Sequence, residues 1–174
     1  IDQKPGDAAI RHGGAGAATF REMLNAAVDD FPHARIVIKL HPAAEGRHHF
    51  HEMDFGPRVT FLDAPISPAA LLEGASAVYT VSSQMGFEAI LAGHRPRVFG
   101  RPFYAGWGLS EDNQPIPRRG RKLSRAQLFA AAMILAPTWY DPCRDRLCSF
   151  EEAVDLREAR LRVWREDSAG HVAV

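Results

Sequence analysis

The sequence of 174 residues has no apolar run that approaches the roughly 18 residues of a membrane-spanning helix. It has no excess of charge, because 21 lysines and arginines balance 21 aspartates and glutamates. Such a balance gives no general attraction to nucleic acid, and no nucleic-acid partner is expected. No secretory signal peptide is visible, and Ile1 resembles an internal residue, so we expect a segment to precede it in the natural protein.

Metal-binding residues are also scarce. The only cysteines, Cys143 and Cys148, lie in a polar turn, and no further ligands of a zinc site lie near them. We expect reduced thiols in a cytoplasmic protein, with a local disulfide as the weaker alternative. The histidines of residues 47–51, RHHFH, lack a carboxylate or cysteine at ligand spacing. They are expected to be surface residues, and no metal site is predicted.

Strands and helices alternate between residues 34 and 100. Strands are predicted at residues 34–40, 58–62, 77–81 and 95–99, and helices at 17–30, from Ser67 onward, and from Ser82 or Ser83 onward. This alternation predicts an α/β fold, a Rossmann-like three-layer α/β/α domain with a parallel sheet. No G-x-G-x-x-G fingerprint follows a strand, which argues against an NAD enzyme.

Residues 77–91, AVYTVSSQMGFEAIL, predict a buried strand that runs into a helix. Ser82 or Ser83 is a natural N-cap, and the unpaired N–H groups of a helix start favour an anion such as phosphate. The alternative is that the two serines only cap the helix.

His41 directly follows the strand of residues 34–40, and Pro42 restricts its backbone to an extended or turn conformation. Ligands of open α/β sheets bind at this carboxyl end of the strands. A structural or merely exposed histidine is the alternative. Gly13, Gly14 and Gly16 precede a helix and can cradle phosphate, although a flexible connecting loop explains them equally well.

Aromatic and basic residues follow the last strand. The loop of residues 100–109 contains three aromatic residues, Phe103, Tyr104 and Trp107. Their rings can stack on a sugar or base. They can equally attach the loop to the core, and Phe103 is the residue expected to do so. Residues 117–122, PRRGRK, can bind a carboxylate or phosphate, or form a solvated charge cluster. Helices are predicted at residues 125–135, capped by Ser124, and at 150–165.

Several stretches together resemble one known family. IDQKPGDAAI, KLHP, VYTVSSQMGFEAILAG, FGRPFYAGWGL and the RRGR turn are similar, in order and spacing, to the capsule polysaccharide biosynthesis/export family of Gram-negative bacteria. The resemblance runs from Ile1 to about Cys148. It implies a Rossmann-like nucleotide-sugar-binding domain at residues 1–150, one half of a GT-B glycosyltransferase, with a C-terminal helix and tail at 151–174.

The implied activity is β-linked transfer of Kdo, an acidic 2-keto sugar, from CMP-Kdo to a glycolipid acceptor without a cofactor. His41 and Pro42 resemble an HP motif that contacts the nucleotide phosphate. Ser82 and Ser83 resemble paired hydroxyls that hold the same phosphate, and Glu88 would accept hydrogen bonds from the ribose.

Gln3 and Asp7 match the family's Q-x-x-x-D stretch. Because CMP-Kdo and its product are both β-configured, the reaction retains configuration, which double displacement by a carboxylate nucleophile such as Asp7 explains. His41 would meet the charge that grows on the departing phosphate. Arg118 and Arg119 are assigned to the Kdo carboxylate from charge complementarity, and no metal is needed.

Members of the family are longer than this chain. We therefore expect this chain to be the nucleotide-sugar half of a longer enzyme, without the N-terminal domain that binds the acceptor. Such a half is expected to be inactive alone. Its expected location is the cytoplasm, or the inner face of the inner membrane as a peripheral protein. One alternative is another nucleotide-sugar enzyme, a UDP-sugar transferase or epimerase. A second is a non-catalytic adaptor of a capsule assembly or export complex, which predicts an exposed apolar patch at residues 103–107.

Overall fold

The computed structural model describes residues 1–44, 47–50 and 56–170. The chain divides into two compact units, Ile1–Arg125 and Ala126–Val174. The boundary predicted at residue 150 lies within the second unit. Among the described helices, none is long and apolar enough to cross a membrane.

The first unit alternates helices and strands along the chain. Its elements are α1 (Ala8–His12), α2 (Ala17–Asp30), β1 (Ile36–Lys39), β2 (Val59–Leu62), α3 (Pro68–Glu73), β3 (Tyr79–Thr80), α4 (Gln84–Leu91), β4 (Arg97–Val98) and β5 (Glu111–Asp112). The predicted strands are present in shorter form, and α2 has the predicted bounds. Neither α1 nor β5 was predicted, because each is too short to show a periodic pattern.

The strands pair in parallel, β1 with β2, β3 with β4, and β4 with β5. Residues 1 and 2 connect the β1–β2 pair to the group of β3, β4 and β5. The backbone N–H of Asp2 donates to the Lys39 carbonyl at 3.0 Å, and the amino group of Ile1 donates to the Tyr79 carbonyl at 2.8 Å. The spatial order is therefore β2, β1, residues 1–3, β3, β4, β5. After residues 1–3 the chain leads to β1 on one side, and after β3 it leads to β4 on the other. The topological switch point therefore lies between residues 1–3 and β3.

Apolar side chains pack on both faces of the sheet. Val81 belongs to the cluster that contains Phe20 and Leu24 of α2, whereas Val78 packs with Leu72 of α3 and Ala89 of α4. Val78 and Val81 point to opposite faces because side chains alternate along a strand. Helices therefore cover both faces, which confirms the predicted three-layer, Rossmann-like α/β/α fold.

The second unit begins within α5 (Arg125–Phe129), which continues as a π-helical segment, Ala130–Leu135. A helix was predicted over residues 125–135, and the structure is helical over these residues, but its second half is π-helical. The N–H of Ala136 bonds to the carbonyl of Ala131, five residues earlier, at 3.0 Å. The indole N–H of Trp139 donates to the Met133 carbonyl at 2.7 Å, so this carbonyl has a partner outside the helix.

An antiparallel hairpin of β6 (Trp139–Asp141) and β7 (Arg146–Cys148) follows, with α6 (Phe150–Gly170) after it. The cysteines are unbridged. Helix α6 starts at the predicted residue because Ser149 and Glu152 form a capping box. The Ser149 N–H donates to Oε2 of Glu152 at 2.9 Å, and the Glu152 N–H donates to Oγ of Ser149 at 3.1 Å. It runs five residues past the predicted end, and residues 171–174 of the predicted tail lie outside the described residues.

A close contact in the first unit connects α4 to the loop after β4. Tyr104 is fully buried, and its hydroxyl donates to the Ser83 carbonyl at 2.7 Å. A Cβ atom at Gly86, one turn into α4, would lie 2.2 Å from the Tyr104 oxygen and 2.9 Å from Cγ2 of Thr80. Only glycine leaves room for this contact.

We expect Gly86→Ala to lower the free energy of unfolding by about 1–3 kcal/mol, because overpacking outweighs the helix propensity gained with alanine. Urea denaturation followed by circular dichroism measures the change. Gly74→Ala is the matched control, since Gly74 has φ −87° and a Cβ atom added there would have no atom within 4 Å. An equal or higher stability of Gly86→Ala would contradict the tight contact.

Candidate functional site

Two predicted site residues form a buried contact at the switch point. Gln3 is buried, and its Oε1 atom accepts hydrogen bonds from the backbone N–H of Ser82 at 2.9 Å and from the Ser82 hydroxyl at 3.1 Å. The same hydroxyl lies 3.3 Å from the Ala9 carbonyl of α1. A serine hydroxyl has one proton, so these contacts already use it. Ser82 therefore joins residues 1–3 and α1 to the turn after β3.

Asp7 lies in the loop between Gln3 and α1. It is half-buried and caps α1, with its Oδ1 atom accepting from the Ala9 N–H at 2.8 Å. Its second oxygen, Oδ2, has no ion-pair partner within the described residues. The hydrogen bond of Oδ1 to the helix fixes the direction of the carboxylate, and Oδ2 is the oxygen that could contact a ligand.

Ser83 is the N-cap of α4, as predicted for one of the two serines. Its hydroxyl accepts from the Met85 N–H at 3.3 Å, and the side chain is half-buried. The start of α4 thus lies at the carboxyl end of β3, where the partial positive charge of a helix N-terminus faces outward.

His41 is exposed beyond the end of β1, and Pro42 begins a 3-10 turn, Pro42–Ala44. The Nδ1 atom of His41 accepts from the Ala43 N–H at 3.1 Å. In the neutral ring the proton must then be on Nε2, which becomes a hydrogen-bond donor toward solvent. Because Asp2 pairs with Lys39 of β1, His41 lies only two residues, roughly 7 Å, beyond the level of Asp2.

A buried lysine, to which the sequence analysis gave no role although it belongs to the KLHP stretch, supports this turn. The ammonium of Lys39 donates to the carbonyls of Leu40 at 3.0 Å and Ala64 at 3.2 Å. These contacts tie the segment after β1 to the segment after β2. The ammonium also adds positive charge beneath the turn that presents His41.

Glu88 lies in the second turn of α4 and is half-buried. Partial burial raises the pKa of its carboxyl group above the usual range. The carboxylate is on the same helix as the Ser83 cap but does not contact it in any described hydrogen bond. Its role toward a ribose therefore depends on the position of a bound nucleotide.

The two arginines of the basic turn differ in their surroundings. Arg119 is half-buried, and its Nη1 group donates to the carbonyls of Pro102 at 2.5 Å and Ala105 at 2.9 Å. Burial and the neighbouring charge of Arg118 lower the pKa of Arg119 from its usual range. Arg118 is exposed. Arg119 thus supports the loop after β4, and Arg118 is the arginine that faces solvent.

The aromatic loop is anchored by a different residue from the one predicted. Phe103 is 43% exposed, whereas Tyr104 is fully buried. Burial raises the pKa of the Tyr104 hydroxyl well above its usual range. The Trp107 indole N–H donates to the Phe103 carbonyl at 2.8 Å and is therefore held within the loop.

The glycines before α2 end one helix and begin the next. Gly13 is the C-cap of α1, Gly14 has φ +68°, and Gly16 is the N-cap of α2. The Gly13 carbonyl accepts from the Arg101 N–H at 3.1 Å. The loop is thus packed against the segment after β4.

One of the histidines expected at the surface is packed into the protein. The His49 ring stacks on Phe20, with centroids 3.7 Å apart, and its Nδ1 atom lies 2.7 Å from Oδ1 of buried Asp2. The expectation of a solvated His49 was wrong, because α2 offers an aromatic face at this position. His51 lies outside the described residues. Within residues 1–44, 47–50 and 56–170, no group of three or more potential ligands is placed to hold a metal.

These features define a Rossmann-like α/β domain whose candidate ligand site lies at a topological switch point. A family model described as "Capsule polysaccharide biosynthesis protein" matches residues 1–137. The chain belongs to this capsule polysaccharide biosynthesis family.

Two solved structures from Thermosulfurimonas dismutans are similar to the chain. One, KpsC described as a beta Kdo 2,4 transferase, has a TM-score of 0.81 and 39% identity over 90% of this chain and 50% of its own. The other, KpsC described as a beta Kdo 2,7 transferase, has a TM-score of 0.72 and 32% identity over 92% of this chain and 52% of its own.

Curated relatives are also similar. The capsule polysaccharide modification protein LipA of Neisseria meningitidis serogroup B is 38% identical over 89% of this chain and 23% of its own length. The lipopolysaccharide-processing protein LpsZ of Rhizobium meliloti is 37% identical over 80% of this chain and 32% of its own. The chain thus spans between about a quarter and a third of these curated relatives.

The raised pKa of Glu88 predicts a pH-dependent effect of Glu88→Gln on stability. Below the ordinary carboxyl pKa of 4.5, Glu88 is protonated in both folded and unfolded chains and has no charge to desolvate. Above it, the ionised group disfavours folding, so Glu88→Gln should stabilise the protein near pH 7 and be neutral near pH 4. Solvent screening of this half-exposed group keeps the gain below about 1 kcal/mol.

Urea denaturation of both proteins at the two pH values checks this expectation. Gln84→Ala, an exposed change on the same helix, is the control and should show no pH-dependent difference. The stability difference between Glu88→Gln and wild type is compared at the two pH values. If this difference favours wild type near pH 7 more than near pH 4, the expectation is contradicted.

Proposed function

We propose that this chain is the nucleotide-sugar half of a retaining β-Kdo transferase that uses CMP-Kdo to build the oligo-Kdo linker of capsular polysaccharide. The observation that carries the proposal is the convergence of three loops at the switch point. They follow residues 1–3, β1 and β3, and present Asp7, His41 and Ser83. Similarity to two solved Kdo transferases supports the choice of sugar.

The phosphate of CMP would bind between His41 and the start of α4. The Nε2 proton of His41, oriented by the bond of Nδ1 to Ala43, is a donor for a phosphate oxygen. The α4 N-terminus, capped by Ser83, adds its N–H groups and partial positive charge. Both would stabilise the charge that develops on the phosphate as the bond to the sugar breaks. Pro42 restricts the backbone that presents His41.

Asp7 would be the nucleophile. Its Oδ2 atom would attack the anomeric carbon, and the bond from that carbon to the phosphate oxygen would break, releasing CMP with the electron pair. An acceptor hydroxyl would then displace the Asp7 carboxylate from the anomeric carbon and give its proton to solvent water. Two inversions retain configuration. The Ala9 N–H, bonded to Oδ1, would stabilise the carboxylate when it leaves.

Two further elements complete the proposal. Glu88 would accept hydrogen bonds from the ribose hydroxyls, and Gln3 would hold the Ser82 turn in place. The chain covers about half of each solved transferase. The acceptor, a glycolipid, would be brought by a separate N-terminal domain, and we expect the chain alone to transfer little or no Kdo to it.

The nucleotide site is tested by calorimetric titration of CMP and UDP. We expect CMP to bind more tightly than UDP, and His41→Ala to weaken CMP binding about tenfold through loss of a hydrogen bond to a charged group. His33→Ala, a change at another exposed histidine, should leave the affinity unchanged. Equal binding of UDP would favour another nucleotide-sugar enzyme, and an unchanged affinity of His41→Ala would remove the phosphate role.

The nucleophile is tested by intact-protein mass spectrometry after incubation with CMP-Kdo and no acceptor, followed by acid quenching. A covalent Kdo adduct is expected on the peptide that contains Asp7. Asp7→Asn retains an N-cap side chain but loses the carboxylate, so it should fold, bind CMP as wild type does, and form no adduct. Asp63→Asn, an exposed control, should still form it. An adduct on Asp7→Asn would assign the nucleophile elsewhere.

A further inference from the structure

An aspartate–histidine pair connects the start of the chain to the segment that follows the His41 turn. The Nδ1 atom of His49 lies 2.7 Å from Oδ1 of Asp2. The Asp2 side chain is fully buried, and the His49 side chain is 9% exposed. An ionised carboxylate only accepts hydrogen bonds, so Nδ1 carries the proton between them. The proposed function gives this pair no role, although Asp2 directly precedes Gln3 at the switch point.

The carboxylate of Asp2 depends on His49 for a hydrogen-bond donor. Its second oxygen, Oδ2, is buried and has no partner in the part of the chain that the structure describes. Among the described residues, the His49 ring is the only group that donates to this carboxylate. A buried carboxylate without a donor is strongly unfavourable, so Asp2 holds His49 in place.

Helix α2 fixes the His49 ring from another side. The ring stacks on Phe20 near the start of this helix, with centroids 3.7 Å apart and ring planes within 2° of parallel. Phe50, the next residue along the chain, is buried and meets Phe20 edge to face at a centroid distance of 6.2 Å. Stacking and the hydrogen bond to Asp2 together define one orientation of the His49 ring.

Asp2 thus contacts the chain on both sides of His41. Its backbone N–H donates to the carbonyl of Lys39, two residues before His41, at 3.0 Å, and its carboxylate binds His49, eight residues after. Fixing two points of a chain restricts the conformations of the residues between them. The exposed His41 ring, with Nδ1 bonded to the Ala43 N–H, is therefore presented from a turn that Asp2 anchors on both sides.

We propose that Asp2 and His49 are positioning residues for His41. They hold the turn so that the Nε2 donor of His41 is in place before a phosphate arrives, and less of the binding energy is then lost to ordering the turn. The role of His41 toward phosphate rests on the proposed function. Neither Asp2 nor His49 contacts the phosphate in this scheme.

A double-variant cycle with His41 tests whether the pair acts through that residue. His49→Phe keeps a ring that can stack on Phe20 but removes the donor, and we expect it to weaken CMP binding roughly fivefold in calorimetric titration. In the His41→Ala background it should have no further effect, because the donor that it positions is already absent. His33→Phe, the same change at an exposed histidine, is the control.

The variant His49→Asn separates positioning from ring packing. Nδ2 of asparagine is as many bonds from Cβ as Nδ1 of histidine, so it can donate to Asp2 without an aromatic ring. We expect His49→Asn to bind CMP more tightly than His49→Phe. Urea denaturation shows that both variants are folded during the titration. If His49 served the fold alone, the folded variants would bind CMP as tightly as wild type does.

Hydrogen exchange at the Ala43 N–H reports the state of the turn without any nucleotide. This group donates to Nδ1 of His41 at 3.1 Å. We expect it to exchange roughly tenfold faster in His49→Phe than in wild type, because the turn opens more often. The Ala92 N–H, which donates to the Glu88 carbonyl of α4, should exchange at an unchanged rate.

A full effect of His49→Phe in the His41→Ala background, or an unchanged exchange rate at Ala43, would overturn the proposal. The proposed function fails separately. A wild-type chain that bound no CMP, but whose exchange at Ala43 depended on His49, would retain the positioning pair and lose the phosphate role of His41.

Discussion

The hydrogen bonds between Gln3 and Ser82 hold together the loops on which the candidate site depends. Residues 1–3 are the only described connection between the β1–β2 pair and the three strands β3, β4 and β5 within the sheet. Gln3 continues this connection beyond the ends of the strands. There its side-chain oxygen, in place of a backbone carbonyl, accepts the hydrogen bond from the Ser82 N–H. Since both groups are buried, loss of Gln3 would leave the Ser82 N–H without a partner, which costs about 1–3 kcal/mol.

A second contact fixes the start of α4 from the other side. Tyr104 reaches the Ser83 carbonyl, 21 residues earlier in the chain, only because Gly86 has no side chain. The SSQMG and FYAGWG stretches are therefore one packing unit. This explains why glycine at position 86 lies inside a helix despite its low helix propensity: the contact it permits outweighs about 1 kcal/mol of propensity. The start of α4, where we propose that the phosphate binds, is held by Gln3 through Ser82 and by Tyr104 through Ser83.

Features with local causes were predictable from the sequence. The Ser83 cap, the end of β1 before His41, and the bounds of α2 each follow from neighbouring residues, through capping, proline sterics and helical periodicity. The spacing of residues along the chain does not show that Gln3 and Ser82 are in contact. Only the family resemblance, which is confirmed over residues 1–137, indicated that these stretches belong to one site.

Features with distant causes were missed. Tyr104 rather than Phe103 anchors the aromatic loop because the space at Gly86 accepts it, and no pattern within residues 100–109 shows that space. His49 packs against the protein because α2 presents Phe20 and the start of the chain presents Asp2. Arg101 lies in the FGRPFYAGWGL stretch, but that stretch does not show the two residues that orient its side chain. These are Gln114, thirteen residues later, and Gly14, whose lack of a side chain leaves room for the guanidinium.

Groups that can receive an anion are concentrated at this edge of the sheet. They are the start of α4 at the end of β3, the Nε2 donor of His41 beyond the end of β1, and the ammonium of buried Lys39. In the proposed function, the phosphate of the donor would bind at the start of α4, so that the anomeric carbon bonded to it would face the Asp7 carboxylate. The positive charge at the start of α4 and at Lys39 would then also offset the repulsion between Asp7 and its anionic substrate.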